Sequence, residues 1–143
     1  MNDIKCIAYG YNQMHHQNVC FLTFSKDSGP GCSMILDNQL IDGNNGIAGE
    51  VAYLPLFDFL KKREFDNSLE NIIQVVATTI VMYNPHLLIL TGENIKEDDL
   101  EAIQKGCLNY VPIHFIPSLK YQENCEDYYF QGLESQIIQR IQL

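Results

Sequence analysis

The chain has 143 residues, 46% of them hydrophobic, and a formal net charge of −9. That length carries one domain with a real core, and the apolar content excludes wholesale disorder. The acidic balance argues against a nucleic-acid-binding surface, which needs clustered Lys and Arg. The one compact basic run, Lys61-Lys62-Arg63, is followed at once by Glu64 and Asp66 and reads as a solvated helix end.

The opening "DIKCIAYGYNQM" places Ile4, Ile7, Ala8 and Tyr11 at helical spacing and predicts a helix from Asp3 to about Met14. Asp3 sits at its start, where an acid meets the orphan N–H groups and the positive end of the dipole. "NVCFLTFS" is a β-rich run, "SGPG" a turn, and "CSMILD" a second strand. "NQLI", after Asp37-Asn38, reads as the return arm of a hairpin.

The period then changes. Leu69, Ile72, Ile73, Val76, Ile80 and Val81 form one helical stripe, with Asn67 or Ser68 as N-cap. This helix stops near Tyr83, because Pro85 disfavours helical geometry at Asn84. "HLLILTG" is nearly continuous in apolar residues, as a parallel strand covered on both faces is. "KEDDLEAIQKGC" predicts a helix ended by Gly106, and "VPIHFIP" another strand bounded by Pro112 and Pro117. "KYQENCEDYYF" is the least regular segment. A last helix carries Leu133, Ile137, Ile138 and Ile141 on one face. A β-meander followed by alternating helices and strands predicts an α/β fold with a mixed sheet, in one domain over residues 1–143.

Cys6, Cys20, Cys32, Cys107 and Cys125 include no C-x-x-C pair and read as reduced thiols. With no signal-peptide pattern and no apolar run of about 18–20 residues, the expectation is a cytoplasmic protein without a membrane span. His15 and His16 are adjacent and point to different sides of a helix, so they read as helix-end residues rather than joint metal ligands. His86 and His114 lie in or beside predicted strands and read as structural.

One stretch is more specific. "LDNQLIDGNNGIAGEVAY" resembles the sugar-binding signature of the ROK family of repressors, uncharacterised reading frames and sugar kinases. That signature is a hairpin followed by Gly-Ala-Asn-Gly-x-Ala-Gly-Glu-(apolar)-Gly-His. Gly43, Asn45, Gly46, Ala48, Gly49 and Glu50 match it; Asn44 replaces Ala, and Ala52-Tyr53 replace Gly-His. Further segments follow in order. "NDIKCIAYG" resembles the segment bearing the family's catalytic aspartate. "FSKDSGPGCSMILD" resembles its phosphate-binding segment, "YNPHLLILTGENI" its adenosine-side Gly-Gly segment, and "YYFQGLESQ" its closing Gly-Ala-Ala helix.

The resemblance implies the ribonuclease-H-like fold of actin-like ATPases and sugar kinases, here as the carboxyl-terminal lobe. It implies sugar contacts from Asn2, Asp3, Asn45 and Glu50, with Asp3 at the position of the general base that takes a proton from a sugar hydroxyl. It implies nucleotide contacts from Gly29, Gly31 and Gly92. Asp3 as a helix-capping acid and Glu50 as a helix-starting acid are the plainer readings of the same residues.

The departures bear on activity. The Asp-x-Gly-Gly-Thr phosphate loop is not in this sequence, nor is the insert carrying a C-x-C-G-x-x-G-C zinc site. Tyr53 stands where the zinc-binding His belongs, so no zinc site is expected. It reads as a packing residue filling the space left by that insert, or as a platform stacking on a sugar ring. Pro30 removes an N–H from the phosphate turn, and Glu93 replaces a second glycine. The expectation is a sugar-sensing, effector-binding domain of a ROK-type transcriptional regulator or degenerate relative. It takes a monosaccharide or sugar phosphate, acts as a homo-oligomer, and leaves DNA contacts to a separate domain. The alternatives are a fragment of an ATP- and Mg²⁺-dependent sugar kinase, or a dimerisation module without ligand. The abrupt opening inside a family motif suggests a domain cut from a longer protein.

Overall fold

The computed structural model describes residues 3–15, 17–25, 29–55 and 68–142. Asn2, His16, Ser28, Asn67 and the basic run at 61–63 lie outside the described residues, so the readings placed on them stand as expectations.

Helix α1 (Asp3–His15) leads into β1 (Val19–Thr23), β2 (Gly31–Leu36) and β3 (Gln39–Leu40). A single 3-10 turn spans Val51–Tyr53. Then come α2 (Leu69–Tyr83), β4 (Leu87–Thr91), α3 (Leu100–Cys107), β5 (Ser118–Tyr121) and α4 (Glu126–Gln142). The strands form one sheet in the order β3-β2-β1-β4-β5. β1 pairs antiparallel with β2 and parallel with β4, and β4 pairs parallel with β5. The mixed sheet expected from the sequence is present.

Side-chain alternation assigns each face of the sheet its own core. Cys20, Leu22, Phe24, Cys32, Met34, Leu88 and Leu90 pack under α2 and α3 with Ile72, Val76, Ile80 and Ile103. Val19, Phe21, Ile35 and Ile89 pack on the other face with Ile4, Ala8 and Tyr11 of α1. Helices therefore cover both faces, which is why β1 and β4 read as unbroken apolar runs. The β2–β3 turn holds Asp37 and Asn38 at φ 51° and 65°, the left-handed pair of a type I′ hairpin.

Ser68 caps α2, its Oγ accepting from Asn71 N at 3.3 Å. Asn84 closes α2 in the left-handed conformation, its N–H bonded to Ile80 O, and Pro85 follows. Of the predicted stripe, Ile72, Ile73, Val76 and Ile80 are buried, whereas Leu69 and Val81 are exposed. Val75 and Ala77 complete the buried face instead.

Three expectations are corrected. Gly106 lies inside α3 rather than ending it, and the space where its Cβ would stand is taken by Ile73 Cδ1 at 2.3 Å. The glycine admits close packing of α3 on α2. "VPIHFIP" is no strand: Ile113–Phe115 is a 3-10 turn, and β5 begins after Pro117, once the prolines that lack ladder donors are past. The stripe on α4 is not its packing face, since Ile137 and Ile138 are largely exposed and Ile141 is 78% exposed. α4 meets α1 through Gly132, the one fully buried residue along it.

The buried thiols behave as apolar side chains. Burial pushes the Cys107 thiol up to about 11, against an ordinary 9.0. A group whose proton is held more tightly in the folded state stabilises that state fully below its unfolded pKa, and the stabilisation is lost as pH rises through the folded pKa. Cys107→Ala should therefore flatten the fall in urea midpoint between about pH 9 and pH 11. A pH slope identical to wild type would refute this.

Candidate functional site

Parallel strands β1, β4 and β5 end on the same edge of the sheet, and a cleft of 880 Å³ opens there. In open α/β sheets, ligands bind in the crevice outside the carboxyl ends of the strands. Each element contributes where its regular structure stops. β1 brings Thr23 and Ser25, β4 brings Thr91, Gly92 and Glu93, and β5 brings Tyr121 and Glu123. The amino end of α1 delivers Asp3, Ile4 and Ile7, and the turn before β2 delivers Gly29, Pro30 and Gly31. Glu50, Ala52 and Tyr53 close the remaining side.

Segments far apart in sequence thus bring Asp3, Glu50, Gly29, Gly31 and Gly92 to one cleft. Asn45 is not among its lining residues. It is exposed, and its Oδ1 accepts from Asn44 Nδ2 at 3.1 Å. Glu50 stands at the N-cap of the 3-10 turn without a side-chain capping bond, so that turn gives its carboxylate no capping task. Tyr53 is 63% exposed, which removes the reading of it as filler for a buried gap.

Backbone geometry explains two glycines at the site. Gly49 has φ +88°, and a Cβ there would lie 2.6 Å from Cys32 O, so the loop before Glu50 rests directly on β2. Gly92 has φ +112°, and a Cβ would lie 2.6 Å from Phe24 O. The chain leaving β4 passes against the chain leaving β1 there, joined by Phe24 N to Thr91 O at 3.0 Å and Asn94 N to Phe24 O at 3.1 Å.

Lys5 was not singled out in the sequence, yet it fixes the site. Its side chain is 5% exposed, pairs with Asp42, and donates to Gly46 O at 2.8 Å. The helix that carries Asp3 therefore grips the loop that carries Glu50. The available signal was a lysine inside the apolar stripe Ile4, Ala8 and Tyr11, since a buried ammonium requires a partner. Cys125, beside Thr91, also lines the cleft; burial raises its thiol pKa, and its Sγ lies 3.7 Å from Thr91 Oγ1. Among the described residues, no group of three or more His, Cys, Asp and Glu side chains could hold a metal ion. Nor is any helix there long and apolar enough to cross a membrane.

A β-meander continued by parallel strands, helices on both faces, and a cleft at the strand ends make a ribonuclease-H-like fold. Within that class the chain has the fold of ROK proteins. A ROK family protein from Streptococcus pneumoniae TIGR4, solved in complex with sucrose, superposes with a TM-score of 0.70 at 14% identity over 99% of this chain and 66% of that one. The ROK hexokinase from Thermus thermophilus gives 0.65 at 17% identity over 95% and 65%. A ROK family transcriptional regulator, a homologue of the E. coli Mlc protein, gives 0.57 at 13% identity over 96% and 54%. The chain spans less than two thirds of the length of each. No protein-family model and no curated protein sequence matches it.

Proposed function

We propose that the cleft is the monosaccharide site of a sugar-sensing domain, from a ROK-type regulator or a degenerate relative of one. The observation that carries this reading is the convergence of Asp3 and Glu50 on one cleft at the strand ends. Asp3 and Glu50 accept hydrogen bonds from sugar hydroxyls, with Asn2 as a further contact from the segment of Asp3. Charged acceptors make the stronger hydrogen bonds. A sugar held between this lobe and a second one favours a closed arrangement. Closure then shifts the DNA affinity of an oligomer whose DNA contacts lie on another domain.

Phosphoryl transfer is a weaker reading for this chain. Nucleotide contact falls to Gly29, Gly31 and Gly92, yet the residue between the first two is Pro30, which has no N–H to give a phosphate. Glu93 adds a carboxylate beside Gly92. The fold likeness to a ROK hexokinase keeps the kinase as the second reading, with ATP and Mg²⁺ as its cofactors. Coupled ATPase turnover that depends on a sugar and is lost in Asp3→Asn would favour it.

The sensing reading is tested by calorimetry with glucose, mannose and N-acetylglucosamine. One of these should bind, and Glu50→Ala should weaken it by about tenfold or more, the loss of a charged hydrogen bond being about 1.5–3 kcal/mol. No heat with any sugar, or an unchanged affinity in Glu50→Ala, would remove the basis for the proposal.

A further inference from the structure

We propose that the outer face of α2, with the turn after α3, is the surface through which two copies of this chain pair about a two-fold axis. Val81, Met82 and Ile113 are 68%, 70% and 72% exposed, and Tyr110 and Phe115 are more than half exposed. A groove of 410 Å³ is lined by Gln74, Ala77, Thr78, Val81, Met82 and Tyr110. A second, of 300 Å³, shares Val81 and Tyr110 with it and runs on to Phe115. None of these residues lines the cleft at the strand ends. At about 150–250 Å² for a large side chain, the five exposed ones present on the order of 600 Å² per copy. A pair then buries about 1,200 Å², the lower end of the range for stable, specific interfaces.

Charge decides what covers this face. From Asn71 to Gly92, and again from Gly106 to Leu119, the sequence holds no Asp, Glu, Lys or Arg, although 19% of the chain is charged. The two stretches meet at the grooves. A basic or acidic partner finds no counter-charge on that floor. Two copies at net charge −9 repel each other across most of their surfaces. Residues outside the described ones do not offset this, because Asp27, Asp58, Glu64 and Asp66 are matched by Lys26, Lys61, Lys62 and Arg63. The uncharged face lets two copies meet without setting carboxylates against each other. On α4, by contrast, Glu134 and Arg140 lie among the exposed Ile137, Ile138 and Ile141.

The face is also complementary to itself. Val81 and Met82 stand one helical turn beyond Ala77 and Thr78, so knob and groove share one stripe of one helix. In an antiparallel pair of α2 helices, Met82 of each copy seats over Thr78 of the other, as an isologous interface requires. That pair is centred on Ile80, which puts the two Glu70 carboxylates about 30 Å apart. At about 0.1 M salt this is some three Debye lengths, so they do not oppose association. Tyr110, its hydroxyl donating to Glu70 Oε1 at 2.9 Å, is held as one wall of the groove. The pairing supplies a surface for the oligomer in the proposed function, and it does not depend on what the cleft binds.

Sedimentation equilibrium of the whole chain over about 1–200 µM should show a species of twice the 16.4 kDa chain mass. Met82→Glu sets like charges near the centre and should weaken pairing by at least about tenfold. Its circular dichroism should stay that of the wild type, because the side chain is exposed in the single copy. Ile141→Glu, on α4, should leave pairing unchanged. Raising salt from about 20 mM to about 500 mM should tighten pairing by screening the repulsion between two acidic chains. A monomer over the whole range, pairing that survives Met82→Glu, or pairing lost in Ile141→Glu would overturn the inference. So would pairing weakened by salt, which marks an interface of ion pairs. Sugar titration of the Met82→Glu variant reads the cleft separately, so either reading can fail alone.

Discussion

Gly10→Ala should destabilise the protein by about 3 kcal/mol or more, although alanine is the better helix former by about 1 kcal/mol. A Cβ at Gly10 would stand 1.8 Å from Tyr128 O and 2.8 Å from Gly132 N. A Cβ at Gly132 would stand 2.2 Å from Cys6 O. The obstacles are backbone atoms of the facing helix, so no rotamer change relieves them. α1 and α4 would have to separate, opening the contact that Tyr11 makes with Tyr128 and Phe21 at ring distances of 5.2 and 5.5 Å. Gly106→Ala is the internal comparison, because its obstacles are side-chain atoms of Ile73, with Cδ1 at 2.3 Å, Cγ1 at 2.9 Å and Cγ2 at 3.0 Å, and none is backbone. That variant should cost clearly less, with helix propensity offsetting part of the clash. Urea midpoints for the two variants test the ordering. Equal effects, or a stable Gly10→Ala protein, would show that the helices do not cross at these glycines.

The comparison of Gly10 with Gly106 also shows what the sequence could and could not convey. Elements with strong local signals were legible: the capped stripe of α2, the turn at Asp37-Asn38, and the unbroken apolar β4 with helices on both sides. Contacts between distant segments left no period to read. Gly10 and Gly132 are 122 positions apart and look like ordinary helix weaknesses until the helices are seen to cross. The isoleucines of α4 suggested a buried stripe, while the actual contact is made through the smallest residue available. At the site, the glycine-spaced loop and Asp3 were legible through their resemblance to a known signature, and they do share a cleft. Asn45, inside the same signature, does not line it. Glu123, Tyr121 and Cys125 were invisible as site residues because their segment reads as irregular. They reach the cleft only because β5 joins the sheet parallel to β4.

Asp42→Ala should cost about 2 kcal/mol of stability and weaken the proposed sugar binding by about tenfold or more. Removing one partner of a fully buried ion pair costs about 3–5 kcal/mol. Asp42 is 57% exposed, while Lys5 is 5% exposed, so solvent compensates one end of the pair. The variant keeps the ammonium buried, still donating to the Gly46 carbonyl. Lys5 is the tie between α1 and the loop, and Ala48 N to Asp42 O at 3.3 Å shows that the loop closes on the same aspartate's backbone. Without the carboxylate, the ammonium draws water toward the gap and the loop loses its fixed distance from Asp3. Lys5→Met in the Asp42→Ala background separates the two consequences. It removes the charge that has lost its carboxylate and should recover part of the stability, since replacing both members of a buried pair by apolar groups is often neutral. The proposed sugar affinity should stay low, because the loop that carries Glu50 has then lost its tie to α1. A double-mutant cycle read by both urea unfolding and calorimetry gives two coupling energies, one for folding and one for binding. Full recovery of binding in the double variant would mean that the loop keeps its place without the latch, and that the cleft owes its geometry to Gly49 and β2 alone.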